Sequence, residues 1–204
     1  MPYKIFIPRD SSSISLGADK VYQEISNEAK KRNIDINIVR NGSRGLFWLE
    51  PMIEVETSKG RVAYGPVTIS DITSLFDNEF FLGNKHPLCL GITEDIKWLK
   101  NQERLTYARV GITDPVSIDD YERLDGFKGL KNSLKLSQEN IVKEIADSGL
   151  RGRGGAAFPT GIKWKTVLDA PSEKKYIVCN ADEGDSGTFS DRMIMENDPF
   201  VLIE

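Results

Sequence analysis

An α/β fold is predicted by two features of the first forty residues: short apolar strand patterns alternate with an amphipathic helix pattern, and turn residues separate them. Lys4–Pro8 has the composition of a strand, and the serines after Asp10 are typical of a helix N-cap. In residues 14–32 apolar side chains recur mostly every three or four positions, the period of a helix. Residues 34–39 alternate as a second strand. The chain therefore opens as strand, helix, strand.

Two more strands and a helix complete the first predicted domain. Met52–Glu56 and Arg61–Tyr64 are rich in β-forming residues, and the sequence Ser-Lys-Gly at 58–60 between them indicates a hairpin. A helix capped by Thr68 or Ser70 is expected after Pro66. The order strand, helix, strand, strand, strand, helix predicts a thioredoxin-like α/β sandwich for residues 1–105.

The composition shifts to Thr, Asp and Pro after Gly111, which marks a connection between domains. We therefore assign residues 106–136 to a linker with helical segments and residues 137–204 to the first part of a second domain. Ser137 is expected to cap a helix that ends at Gly149.

Composition and charge exclude several functional classes. The 204 residues carry a net charge of −4, without a basic cluster for nucleic acid and without an apolar run long enough to span a membrane. Because no signal peptide is evident, a cytoplasmic location is expected. Cys89, Cys179 and His86 are too few for an iron–sulfur cluster or a structural zinc site within this chain, and His86 has no nucleophile motif nearby.

The segment GLRGRGGAAFPTGIKW at residues 149–164 contains five glycines and two arginines. Glycine lets backbone N–H groups approach an anion closely, and Arg or Lys adds charge-assisted hydrogen bonds. These residues predict a phosphate-binding loop. Residues 152–157 also fit the dinucleotide pattern G-x-G-x-x-A, but a helix precedes them where a Rossmann turn requires a strand. A tight turn without a ligand is the alternative.

A second polar segment follows a strand predicted at Lys175–Cys179. Asn180 comes first, and Asp182, Glu183 and Asp185 place three carboxylates within four residues. Carboxylates accept hydrogen bonds from ribose hydroxyls and repel an added phosphate. Recognition of a nucleotide is therefore expected here, and a solvated acidic loop before a helix capped by Ser190 is the alternative.

Together, the glycine-rich segment and CNADEGDSGTF at 179–189 resemble the flavin-binding subunit shared by respiratory NADH dehydrogenase, NAD-reducing hydrogenases and NAD-dependent formate dehydrogenases. The resemblance covers about residues 137–204. Upstream, IVRNGSRG at 38–45, WLEP at 48–51 and PLCLG at 87–91 resemble the β subunit of soluble, molybdenum-containing formate dehydrogenase. Ala157 and Asp185-Ser186, where many relatives have Gly and Glu-Pro, favour the same branch.

The resemblance implies a Rossmann-like α/β domain that binds FMN, exchanges hydride with NAD and passes electrons to iron–sulfur clusters. It implies no catalytic side chain and no metal ligand in this chain, although Glu183 would tune the NADH site. The cofactor-binding residues that it implies, by their numbers here, are Gly152, Arg153, Gly154, Gly155, Ala156, Phe158, Lys163, Asn180, Asp182, Glu183 and Asp185.

The resemblance also implies partner subunits: a molybdenum and iron–sulfur catalytic subunit and a small [2Fe–2S] thioredoxin-like subunit. Related N-terminal domains hold a cluster through four cysteines, whereas residues 1–110 contain only Cys89, so no cluster is expected there. Family members continue with a further flavin motif, a ubiquitin-like domain and a four-cysteine [4Fe–4S] domain. The chain is therefore expected to be an N-terminal fragment that is inactive in isolation.

Two alternatives stay open at this point. The chain could derive from the flavin subunit of an NADH-quinone oxidoreductase or an NAD-reducing hydrogenase. It could also act as a non-enzymatic, thioredoxin-like docking module.

Overall fold

The computed structural model describes residues 2–204, which form two compact units. Unit 1 comprises the chain up to Leu124 together with Glu183–Ile203, and unit 2 comprises Asp125–Asp182 with Glu204. The two units are defined by which residues lie close together in space. The domain limits at residues 105 and 137 are a separate prediction from the sequence.

A five-stranded mixed sheet forms the centre of unit 1. Its strands are β1 (Tyr3–Phe6), β2 (Ile36–Val39), β3 (Ile53–Thr57), β4 (Gly60–Tyr64) and β5 (Cys89–Ile92). Their order in the sheet is β2-β1-β3-β4-β5. β1 and β2 pair in parallel, and the other neighbours pair antiparallel. The predicted α/β class with a thioredoxin-like first sheet is confirmed, and the Ser-Lys-Gly hairpin joins β3 to β4 as expected.

Most of the α-helices belong to unit 1. They are α1 (Ser11–Ser15), α2 (Ala18–Lys31), α3 (Ile72–Asp77), α4 (Lys97–Lys100), α5 (Ile118–Arg123), α9 (Ser190–Asn197) and α10 (Pro199–Ile203). Unit 2 contains α6 (Lys128–Ser133), α7 (Gln138–Asp147) and α8 (Thr160–Asp169). Ser137 caps α7 as predicted, since its Oγ accepts a hydrogen bond from the Asn140 N–H at 3.3 Å.

The core of unit 1 lies between α2 and the sheet. Val21, Ile25 and Ala29 repeat every four positions along α2 and are fully buried, in one cluster with Ile5 and Val55 of the sheet. The helix period thus correctly predicted which face of α2 is buried.

Three sequence predictions about these elements need correction. The helix predicted across residues 14–32 is two helices, because Gly17 between them has φ +105°, outside the helical region. β5 was not predicted, and its four residues include Gly91 at φ +83°, which weakens a strand pattern.

The strand predicted at Lys175–Cys179 is the third error. The backbone is irregular there, and the side chains of Ile177 and Val178 are 101% and 88% exposed. A β-strand requires a neighbouring strand to pair its backbone groups, and none of the strands described in residues 2–204 lies in unit 2.

Helices α7 and α8 pack against each other in unit 2 at very short range. A Cβ atom added to Gly161 would lie 2.5 Å from the Cα atom of Ala146. Only glycine lets the backbone of α8 approach α7 this closely. This contact holds the first turn of α8, the last part of the glycine-rich segment, against α7.

Candidate nucleotide-binding segments

The glycine-rich segment forms a loop with closed ends. Arg151 and Pro159 pair as an isolated antiparallel bridge, and the Gly152 N–H donates to the Phe158 carbonyl at 2.8 Å. The Thr160 N–H donates to the Leu150 carbonyl at 2.9 Å, directly at the start of α8. We call residues 152–158, between these closures, the glycine loop.

The interior of the glycine loop is open. No heavy atom of another residue lies within 4 Å of the position that a Cβ atom would take at Gly154 or Gly155, and Gly155 has φ +100°. A side chain at Gly155 would therefore be strained by the backbone even though space is available. Arg153 and Ala156 are exposed in the same loop.

A positive charge and an aromatic ring stand at the base of the glycine loop. The Lys163 Nζ atom lies 3.8 Å from the position of an added Cβ at Gly152 and 5.8 Å from the centre of the Phe158 ring. Lys163 projects from the first turn of α8. The structure thus places Gly152, Phe158 and Lys163 close together, three of the cofactor-binding residues that the resemblance implies.

These residues fit the phosphate end of FMN. The open glycine backbone allows an anion to approach without meeting a Cβ atom, and the Lys163 ammonium supplies a charge beside it. Arg151 has a supporting function, since its guanidinium donates to the Ala157 carbonyl at 3.1 Å and holds the loop closed.

Asn180 and Asp182 follow the irregular segment in unit 2. The Asn180 side-chain oxygen accepts a hydrogen bond from the Asp182 N–H at 3.1 Å, and Asn180 itself is exposed. This local turn gives Asn180 a structural partner. Its assignment to the flavin site remains a prediction.

Glu183 has a structural role that the sequence did not predict. Its carboxylate caps α9: it accepts hydrogen bonds from the N–H and Oγ of Ser190 and, both at 3.4 Å, from the N–H groups of Asp191 and Arg192. Partial burial raises the pKa of the Glu183 carboxyl, but these hydrogen bonds outweigh burial and hold the pKa below its ordinary value. Ser190, expected as the cap, instead donates to the cap.

We call residues 183–189 the acidic loop. Asp185 is exposed within it, and its backbone carbonyl accepts from the Thr188 N–H at 3.3 Å. The Asp185 carboxylate is thus presented on a turned segment, whereas the Glu183 carboxylate faces the helix. The acidic loop belongs to unit 1, and the glycine loop belongs to unit 2.

The hydrogen bonds of His86 do not fit the role of a general base in a histidine-dependent hydrolase. The Nδ1 atom accepts a hydrogen bond from the Leu88 N–H at 3.2 Å, so the proton of the neutral ring resides on Nε2. Nε2 lies 3.0 Å from the Ser74 Oγ and donates to it. An imidazole that donates to a hydroxyl cannot act as its general base.

Comparison with known proteins shows which domain type the C-terminal part of this chain resembles. Residues 145–204 match the Nuo51 FMN-binding domain. This segment contains both the glycine loop and the acidic loop. The domain type that this segment resembles binds FMN, which agrees with the cofactor predicted from the sequence.

Two curated relatives support the same relationship. The chain is 49% identical over 105 residues, 52% of its own length, to NADP-reducing hydrogenase subunit HndC of Solidesulfovibrio fructosivorans. It is 46% identical over 103 residues, 50% of its length, to a subunit of NADH-quinone oxidoreductase of Rhizobium meliloti. The chain spans 21% and 24% of these two relatives.

A solved structure similar to this chain is the thioredoxin-like [2Fe–2S] ferredoxin from Aquifex aeolicus. It has a TM-score of 0.38 and 17% identity, over 44% of this chain and 97% of the ferredoxin.

Within residues 2–204, the helices are all too short or too polar to cross a bilayer.

Unit 1 contains further residues of interest that sequence reasoning did not single out individually. Gly42, Ser43 and Gly45, in the Asn-Gly-Ser-Arg-Gly run, pack directly on α9. The glycines were visible as a loop pattern, but their contact with a helix about 150 residues later could not be read from it.

Proposed function

We propose that this chain supplies the FMN phosphate-binding loop and a nicotinamide-nucleotide loop of a diaphorase-type oxidoreductase subunit. The observation that carries the proposal is the open glycine loop with Lys163 at its base, within a segment similar to an FMN-binding domain. In this proposal, hydride passes between NAD and FMN, and electrons pass to iron–sulfur clusters.

Each side chain has a defined part in this function. The backbone N–H groups of Gly154 and Gly155, with Arg153 and Lys163, bind the flavin phosphate. Gly152, whose own N–H donates to the Phe158 carbonyl, lets the phosphate approach the base of the loop. The small side chain of Ala156 leaves room for the ribityl chain beside the loop. Bound FMN would supply the conversion between two-electron hydride transfer and single-electron transfer.

The remaining residues recognise the rings and the second nucleotide. Phe158 presents an aromatic face to the nicotinamide or adenine ring. Asn180 and Asp182 supply polar contacts to the flavin. Asp185 accepts hydrogen bonds from ribose hydroxyls, and Glu183 shapes the acidic loop and adds negative charge to it.

At a finer level, we propose the soluble formate dehydrogenase branch, in which electrons arrive from a molybdenum site on another subunit. The segments at 38–45, 48–51 and 87–91 and the Asp185-Ser186 pair support this choice. The proposed partners are a molybdenum and iron–sulfur catalytic subunit and a small [2Fe–2S] subunit, in the cytoplasm. The competing candidate is a hydrogenase or NADH-quinone oxidoreductase, which is what the relatives are named for.

Flavin binding tests the first level of the proposal. FMN fluorescence is titrated with this chain and with the longest polypeptide that contains it. We expect Lys163→Ala to weaken FMN binding about tenfold or more, because a charge-assisted contact to phosphate is worth about 1.5–3 kcal/mol. Lys165→Ala is the matched control, since Lys165 lies on the same helix and pairs with Asp169. Equal FMN affinity in the parent, Lys163→Ala and Lys165→Ala would refute the assignment of Lys163.

Elemental analysis of the purified native complex tests the branch. A tagged chain is isolated from its source cells, and molybdenum and nickel are measured per chain. Stoichiometric molybdenum and formate-dependent NAD reduction are expected. Nickel with hydrogen-dependent reduction would establish the hydrogenase alternative instead.

A further inference from the structure

Helix α9, which carries the acidic loop at its N-terminus, is bound to the N-terminal part of unit 1. The Asn197 side-chain oxygen accepts a hydrogen bond from the Ser43 N–H at 3.1 Å, between residues 154 positions apart in the chain. Asn197 is only 2% exposed. A buried side chain with this partner fixes the C-terminal end of α9.

The loop at residues 41–45 follows the surface of α9 so closely that it excludes larger side chains. A Cβ atom at Gly42 would lie 2.5 Å from the Asn197 Oδ1, and one at Gly45 would lie 2.9 Å from the Met193 Cε. Met193 and Asn197 are four positions apart and therefore lie on one face of the helix. This face is in direct contact with the loop.

Further contacts hold the rest of the helix. Asp198, 2% exposed, accepts from the Arg109 Nε at 2.9 Å, and the Tyr107 hydroxyl donates to the Ser190 carbonyl at 3.1 Å. The Ser11 N–H and hydroxyl both donate to the Glu196 carboxylate at 2.8 Å. Both ends of α9 thus have partners from the first 110 residues.

The acidic loop is tied to the other end of the same helix. Its first residue, Glu183, caps the first turn of α9, and its last residue, Phe189, immediately precedes Ser190. The two ends of the acidic loop therefore meet at the N-terminus of α9. A displacement of this helix must therefore move the loop that carries Asp185.

We propose that Asn197, with the backbone of Gly42 and Ser43, forms a latch that positions the acidic loop for the nicotinamide nucleotide. These are positioning residues, which act through α9 and contact no nucleotide themselves. The inference rests on the proposed function for its nucleotide part. The mechanical part states that the Asn197 contact holds α9 and thereby the Glu183 cap. It depends only on contacts within this chain.

Hydrogen exchange on this chain tests the mechanical part. The backbone amides of Ser190, Asp191 and Arg192 are protected by the Glu183 cap, and Asn197→Ala should make them exchange about tenfold faster. Asn197→Asp keeps an acceptor oxygen and should restore most of the protection. Met195→Ala, an exposed position on α9, is the control. Unchanged exchange in Asn197→Ala would overturn the latch.

Nucleotide affinity tests the functional part, with the longest polypeptide that contains this chain. Asn197→Ala should raise the Kd for NADH at least about fivefold at unchanged FMN content, and Asn197→Asp should reverse most of this loss. If the amides exchange faster while the Kd stays at the parent value, the positioning role is refuted.

Failure of the proposed function has a different result. If the parent protein itself binds no FMN and no NADH, the assignment of the segment is wrong, and the exchange data still report on the latch. Asn197→Ser, which keeps a shorter acceptor, replaces the alanine variant if that variant does not fold. It is judged by the same two outcomes.

Discussion

The guanidinium of Arg44 and the carboxylate of Glu54 form a two-point ion pair in the interior of unit 1. Their Nε–Oε1 and Nη2–Oε2 distances are 2.7 and 2.9 Å, and the two side chains are 2% and 1% exposed. Gly111 makes room for this pair, because a Cβ atom there would lie 2.3 Å from the Arg44 Cδ. The Asn-Gly-Ser-Arg-Gly loop is thereby anchored to strand β3.

Arg44→Met should destabilise unit 1 strongly. The substitution keeps much of the side-chain volume but leaves the buried Glu54 with only the longer contact to Arg61, at 3.3 Å. Breaking one side of a buried pair costs about 3–5 kcal/mol, so urea unfolding should shift by this amount. Lys100→Met removes one side of an exposed pair with Asp95 and should cost less than about 1 kcal/mol. Equal effects of the two substitutions would show that the buried pair contributes no more than a surface pair.

Glu50 should make the stability of unit 1 depend on pH. Burial raises the pKa of its carboxyl to about 7, although hydrogen bonds from the Ser43 hydroxyl and the Met52 N–H favour the charged form, and the nearby Asp10 charge adds to the increase. The folded state therefore holds this proton more tightly than the unfolded chain, where the pKa is near 4.5. Stability should fall as the pH rises through this window and level off above pH 7, by up to about 1.4 kcal/mol per pH unit.

The difference between parent and Glu50→Gln isolates this contribution. Thermal unfolding of both proteins is followed from pH 5 to pH 8, and the Tm of the parent should fall relative to that of the variant. Glu56→Gln, at an exposed position near the end of β3, should follow the parent at every pH. Parallel curves for the parent and Glu50→Gln would contradict the raised pKa.

Gly161→Ala should destabilise the pair of α7 and α8, against the trend of helix propensity. Alanine normally gains up to about 1 kcal/mol over glycine inside a helix. Here the added methyl would overlap the Ala146 backbone, and such overpacking costs about 1–3 kcal/mol. Hydrogen exchange of peptides from α7 and α8 should accelerate, with Lys165→Ala as a neutral control. Slower exchange would show that the two helices are not in such close contact.

Asp185→Asn should relax the preference for NAD over NADP that the proposed function implies, and should do so more cleanly than Glu183→Gln. Removing the exposed Asp185 charge lowers the repulsion of a 2′-phosphate without touching the cap of α9. Glu183→Gln also removes a charge, but it weakens the cap as well, so NADH binding itself should suffer. The measurement is the ratio of kcat/KM for NADH to that for NADPH in an FMN-loaded polypeptide containing this chain.

The control for nucleotide choice is Asp169→Asn, which deletes a charge on α8 outside both loops. It should leave the ratio at the parent value. An unchanged ratio in Asp185→Asn would show that Asp185 takes no part in nucleotide choice.

Local sequence patterns were sufficient for most elements of unit 1. The period of Val21, Ile25 and Ala29 predicted the buried face of α2, and the Ser-Lys-Gly turn predicted the hairpin between β3 and β4. The assignment of Gly152, Phe158 and Lys163 to a cofactor site stays a prediction from the resemblance, although the structure places the three residues near one another. The correct predictions of the α2 face and of the hairpin share one cause: each depends on residues that are neighbours along the chain.

Features that depend on distant partners were decided only by the tertiary structure. The segment Lys175–Cys179 has the composition of a strand but forms none, because its backbone has no adjacent strand to pair with. The carboxylate of Glu183 caps α9 because the chain folds back on itself between these residues. Asn197 meets Ser43 across 154 positions. Composition and periodicity describe what a segment can form, whereas a hydrogen bond between distant residues exists only once the whole fold has brought its donor and acceptor together.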